Sequence, residues 1–282
     1  MASRAWADAA GAGPGSAPAV RLEVLLPLLL VSALLALGSW RLAQRRPGAV
    51  TAARMIFGGG ALACVTVALL SPLDALADRL FAAHMVQHMA LVMLAAPALL
   101  LADPFPLALW ALPRALRRRL GRRLTRASVV GRLWFVATTM LLTWPAFTAV
   151  LWLWHVPAAY DAALSHRWLH DVEHASFFAA ALLFWWPVIH PAPRFRPPAA
   201  CPLRIVYLVL AAFQTAALGL VLTLAPTVIY RSYAVLDDQT RGGVVMWGLG
   251  GLIDMLAVLV VLYRGLGGGE RPTPRDRILY SP

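Results

Sequence analysis

Lysine is missing from all 282 residues, so the net charge of +12 rests on 25 arginines set against 13 acidic groups. Charge of either sign is scarce: 13% of residues carry it, well below the quarter or so usual in soluble domains. A basic balance this large suggests nucleic acid as a partner. The arginines, however, sit in short connections between apolar runs, and no soluble stretch is left to present a basic groove. Nucleic-acid binding is set aside on that ground. Cysteine is nearly missing too. Cys64 and Cys201 have no CxxC spacing, which leaves neither a disulfide framework nor a thiolate metal site. Residues 1–20, rich in Ala, Gly and Pro, lack the apolar core of a signal peptide and read as a disordered tail.

What is abundant is apolar. Hydrophobic residues make up 60% of the chain and the mean hydropathy is +0.69, an apolar load that calls for lipid. Seven runs are long enough to cross about 30 Å of hydrocarbon: Val24 to Trp40, Met55 to Leu73, Leu80 to Ala102, Leu133 to Trp154, Val172 to Ile189, Ile205 to Val228 and Val244 to Tyr263. The expected architecture is all-α, a polytopic bundle of about seven transmembrane helices over residues 21–265, with a cytoplasmic tail at 266–282. Arginines alternate between connections. Nineteen fall on one side and six on the other, which places the N-terminus outside and the C-terminus in the cytoplasm. Trp40, Trp110, Trp134, Trp185 and Trp186 fall near the inner boundary, and Trp152, Trp154, Trp168 and Trp247 near the outer one. The longest connection, Pro104 to Arg132, holds eight arginines; it reads as a topology determinant rather than a basic helix lying on anionic headgroups.

On this frame six of the seven histidines share the outer face. His84 and His88 are spaced i, i+4 and so lie on one side of a helix, able to grip a metal. Met85 and Met89 follow them, with Met93 one turn on; thioether beside imidazole favours Cu(I), although methionines about 100° around the helix equally suit packing. A second cluster, HRWLHDVEH, spaces His166, His170 and His174 by four and interleaves Asp171 and Glu173. It would present a three-imidazole stripe if helical from its first histidine, with the carboxylates orienting ring nitrogens or ligating directly. His155 could close the site from the fourth span, whereas His190 lies at the opposite face. Asp254 interrupts the seventh span with Gln214 or Thr215 as candidate partners, and Asp74 suits a helix N-cap.

The segments SPLDALADRLFAAHMVQHMALVMLAAP, WHVPAAYDAAL, HDVEHASFFAAALLFWWPVI and LDDQTRGGVVMW, in that order, resemble the Bacillus-type CtaG family of cytochrome c oxidase assembly proteins over about Ser71 to Asp254. The resemblance implies a seven-helix, multi-pass protein of the bacterial plasma membrane that matures a haem-copper oxidase at copper insertion. Its matching residues are His84, Gln87, His88, His155, Tyr160, Asp161, Glu173 and His174. Thr240 and Arg241 depart from the pattern, which expects a less charged pair there. The reading this favours is a copper-binding assembly factor, not an enzyme. Its metal ligands would come from His84, His88, His155, His170, His174, Met85, Met89 and Glu173. Its partners would be cytochrome c oxidase subunits, the bilayer and, as a candidate donor, an extracytoplasmic copper chaperone. Three alternatives stay open: a zinc-dependent intramembrane hydrolase using the same histidines, a haem-handling protein, and a scaffold whose histidines only hydrogen-bond helix ends.

Overall fold

The computed structural model describes residues 21–267, and those residues form twelve helices and no strand. The tail at 1–20 and nearly all of 266–282 lie outside the described residues. In chain order the helices are α1 (Leu22–Arg45), α2 (Ala52–Leu70), α3 (Pro72–Ala77), α4 (Phe81–Leu101), α5 (Pro104–Ala111) and α6 (Arg114–Arg123). They continue as α7 (Val129–Ala137), α8 (Met140–Trp154), α9 (Pro157–Ser165), α10 (Arg167–Ile189), α11 (Cys201–Leu224) and α12 (Leu236–Leu266). Six of these are long and apolar enough to cross a membrane: α1, α2, α4, α10, α11 and α12. A seventh crossing results if α7 and α8, bent by 63° at their junction, count as one.

That junction corrects the unbroken fourth span expected from Leu133 to Trp154. The Thr138 and Thr139 hydroxyls donate to the carbonyls of Trp134 and Val136, and the Arg196 guanidinium donates to the Phe135 carbonyl. Thr138 N–H still reaches the Trp134 carbonyl, but Thr139 N–H bonds the Val136 carbonyl three residues back while Arg196 takes the Phe135 carbonyl, and the chain turns there. Two other boundaries also move. Proline at the first helical position starts α3, α5 and α9, where its missing N–H costs nothing. The last span begins at Leu236 rather than Val244, because the polar residues of its opening turns are bonded inside the protein. Asp238 accepts from the backbone N–H groups of Phe81 (2.6 Å) and Ala82 (3.2 Å), and Gln239 accepts from Ile229 N–H (2.7 Å). Trp247 therefore lies eleven residues into α12. Trp185, expected at the inner boundary, is buried and donates to the Val92 carbonyl at 3.0 Å. The arginine-rich connection forms helix α6 with no buried residue, its Arg117 lying over the Trp110 ring.

The helix α4 is the centre of the bundle: 61% of an 18-residue apolar stretch in it is buried, against 17% of the corresponding stretches of α1 and α2. It packs against α2, α10 and α12, while α11 lies along α12 and α8 along α10. Glycines permit two of these approaches. A Cβ on Gly243 of α12 would meet the Gly219 carbonyl of α11 at 2.6 Å, and one on Gly242 would meet the Phe81 ring at 2.2 Å. Two π-helical turns, Ala90–Ala95 in α4 and Val245–Leu249 in α12, widen those helices locally.

Candidate metal centre

Helical spacing and the packing of α10 on α4 bring the imidazoles together at one end of the bundle. The i, i+4 pair His84 and His88 lies with ring centroids 4.4 Å apart, tilted by 41°, and His170 and His174 of α10 lie 4.4 Å apart, tilted by 55°. Across the interface His84 reaches His170 at 5.2 Å and His174 at 5.7 Å, and His88 reaches His174 at 4.9 Å. Glu173 joins them, its Oε1 3.3 Å from His88 Nε2 and 3.8 Å from His84 Nε2. All five residues are buried, none more than 6% exposed.

Two sets of three donors place their ligating atoms within 4.8 Å of one another: His84, His88 and His174, or His84, His170 and Glu173. Both use His84, so they are alternative grips on one position. The first is all-nitrogen; the second is the nitrogen and carboxylate mixture typical of harder ions.

Hydrogen bonds around the cluster fix which ring nitrogens face inward. Tyr233 donates its hydroxyl proton to the Ala77 carbonyl at 2.6 Å, so toward His84 Nδ1, 3.1 Å away, it can only accept. Nδ1 therefore carries the proton, and Nε2 turns its lone pair toward Glu173. His155 donates from Nδ1 to the Leu151 carbonyl at 2.8 Å, which likewise leaves its Nε2 with a lone pair. His155 lies outside both donor triads. It borders instead a small chamber beside His88.

Eighteen buried side-chain N and O atoms of the described residues have no hydrogen-bond partner, and nine belong to this site: His84 Nε2, both nitrogens of His88 and of His174, His155 Nε2, His170 Nε2 and both Glu173 oxygens. Buried polar atoms are almost always paired. A pocket that concentrates unpaired imidazole nitrogens around a carboxylate is one that a cation, bound at the ring lone pairs, would complete.

The surroundings are as specific as the donors. Asp161 accepts from the backbone N–H of Ser232 (3.1 Å) and from its hydroxyl (2.8 Å), which holds the segment that carries Tyr233. Tyr230 donates to the His155 carbonyl at 3.2 Å and stacks on Tyr160 at 4.1 Å; Phe81 completes an aromatic cap. Gln87 donates to Asp74 (2.9 Å) and to the Ala68 carbonyl (2.7 Å), and Asp74 pairs with Arg21 at 2.6 Å. Arg21 also pairs with Asp171, tying the start of α1 to α10. Asp74 is thus a tether, while Ser71 accepts from Leu73 N–H as the cap of α3. A groove of about 490 Å³ between α1, α2 and α10, mostly apolar, reaches Asp171 and His174 from the flank.

Of the residues singled out in the sequence, His84, His88, His170, His174 and Glu173 come together. His166 does not: α10 starts one residue after it, and the exposed ring donates to the Ala162 carbonyl, so the stripe has two imidazoles rather than three. Met85 and Met89 line the neighbouring chamber, which His88 and His155 also border. Gln214 accepts from Trp152 Nε1 at 2.9 Å, which leaves Thr215 as the neighbour of Asp254 in that chamber. Tyr233 and Asp238 are the functional neighbours that sequence reading missed. Asp238 is signalled only by its place in the resemblance segment LDDQTRGGVVMW, which does not say what it caps, and Tyr233, three residues before that segment, has no signal.

Fold and site together define a multi-pass membrane protein with a buried polyhistidine cluster at one end of its bundle. The chain belongs to the cytochrome c oxidase caa3 assembly factor family (Caa3_CtaG), which matches residues 33–266. It is accordingly a multi-pass protein of the bacterial membrane whose family serves oxidase assembly. No curated protein and no solved structure matches it.

Proposed function

We propose that this assembly factor binds Cu(I) through His84, His88 and His174 and passes it to a subunit of cytochrome c oxidase on the extracytoplasmic side. The observation that carries the reading is the set of nine unpaired N and O atoms around Glu173. Three imidazole nitrogens suit a soft monovalent ion, and the open positions of a three-coordinate Cu(I) let an incoming ligand attack before the old one leaves. The Glu173 carboxylate would balance the charge of a single Cu(I) in a low-dielectric setting. The orientation rests on the arginine asymmetry: the histidine end of the bundle carries the arginine-poor connections.

A zinc site is favoured by one observation, the His84, His170 and Glu173 set, whose donor types match catalytic zinc. Haem fits poorly, because ring centroids 4.4 to 5.7 Å apart leave no slot for a porphyrin.

The test is genetic complementation. A strain lacking the protein should lose caa3-type oxidase activity and regain part of it with added copper. The wild-type gene should restore activity fully and His84→Ala with His88→Ala should not. Full restoration by the double variant overturns the reading, and a purified protein that retains zinc but takes up no Cu(I) would favour the zinc site.

A further inference from the structure

A chamber of about 20 Å³ lies beside the histidine cluster, bordered by His88 and His155 at one end and Asp254 at the other. Four methionines line it: Met85, Met89 and Met93 from α4 and Met246 from α12, all nearly or fully buried. The volume suits one water or one monatomic ion and no organic ligand.

Methionine commonly fills irregular core gaps, and packing alone would account for the thioethers. It does not account for Asp254. This carboxyl is 4% exposed, and its Oδ1 has no hydrogen-bond partner. A carboxyl left so among thioethers and phenyl rings carries a desolvation cost that a cation would remove. The backbone adds an independent observation. Both π-helical turns border the chamber, one containing Met93 and the other Met246, and π-turns recur at functional sites.

We propose that this chamber is a second Cu(I) site, with thioethers of Met85, Met89 and Met246 as ligands and Asp254 as counter-charge. Thioethers select soft ions and do not titrate, so this site would exclude Zn²⁺ where the histidine cluster would not. His88 borders both positions, and both of its ring nitrogens are unpaired, so an ion could move between them without leaving the protein. The inference rests on the reading that the cargo is Cu(I), and it adds a holding site deeper in the bundle.

The experiment is Cu(I) titration of the purified full chain against a chromophoric competitor under reducing conditions, joined to copper X-ray absorption. Wild type is expected to bind two Cu(I), with sulfur among the scatterers. Met89→Leu with Met246→Leu, which conserves volume, should bind one and lose the sulfur signal, while His84→Ala with His174→Ala should keep sulfur-ligated copper. Asp254→Asn should weaken the sulfur-ligated ion at least tenfold while leaving the thermal midpoint in place. A wild type that binds one copper with nitrogen ligands alone overturns this inference and leaves the proposed function standing. Two coppers retained in the methionine variant also overturn it, and no copper in wild type overturns both.

Discussion

His84 shows how much of the candidate site lives in hydrogen bonds rather than in the donors themselves. Its Nδ1 is committed to Tyr233, whose own proton is committed to Ala77, so the inward Nε2 is a lone pair before any ion arrives. Removing that partner with Tyr233→Phe should weaken Cu(I) binding about tenfold or more, at the lower end of what outer partners of metal-bound histidines contribute. Competitive titration would read it, with stoichiometry unchanged; unchanged affinity would mean the tautomer is set elsewhere. His155, just beyond α8, adds a pH dependence. Burial pushes its imidazole down to about 4, and the hydrogen bond to Leu151 offsets only part of that. An unfolded histidine titrates near 6.5, so the folded state holds its full stability above that pH and loses it as pH falls toward 4, by on the order of 3 kcal/mol. The unfolding midpoint of the metal-free protein should drop over that window, and His155→Phe should remove part of the drop; an unaltered slope would contradict the assignment. The imidazole pairs were legible in the sequence because i, i+4 spacing alone puts them on one helical face. Tyr233 was not, since it lies 149 residues from His84 and only tertiary packing joins them.

At the scale of elements, the site depends on where α4 begins. Its first N–H groups are capped by Asp238 of α12, and Phe81 rests on Gly242 with no room for a side chain between. The same segment departs from the family pattern at Thr240 and Arg241. Arg241 pairs on the exposed side with Asp237 at 2.7 Å, so the extra charge leaves the packed glycine face alone. Gly242→Val should displace Phe81 and with it the first turn of α4, lowering Cu(I) affinity and costing about 1–3 kcal/mol of stability as an overpacked contact. Gly251→Val, where nothing lies within 4 Å, is the control and should be neutral in both measurements. An equal effect of the two would show that α12 packing is not what places His84. Apolar length predicted every crossing, but it was blind to the bend at Thr138 and Thr139, because a continuous apolar run gives no sign that an arginine about sixty residues away will take the Phe135 carbonyl. It also missed the first two turns of α12, where Asp238 and Gln239 are satisfied internally by distant backbone.

Over the whole molecule, the histidine cluster occupies the end of the bundle with few arginines, while the opposite end is braced by Arg54 on Asp103 and by Asp103 accepting from Ala192 N–H at 2.7 Å. If the arginine asymmetry sets topology, a cysteine at exposed Ser165 should react with an impermeant maleimide from outside intact cells. One at exposed Arg122 should react only after permeabilisation, each in a Cys64→Ala and Cys201→Ala background. The reverse labelling would put the cluster on the cytoplasmic side and end the case for delivery to an extracytoplasmic copper centre. The central claim is narrower still: the imidazoles that α4 and α10 bring together hold Cu(I). Competitive Cu(I) titration of the purified protein under reducing conditions, wild type beside His84→Ala with His88→Ala, tests it most directly. The account predicts that wild type binds tightly and that the double variant loses the nitrogen-ligated ion; equal copper in both would contradict it.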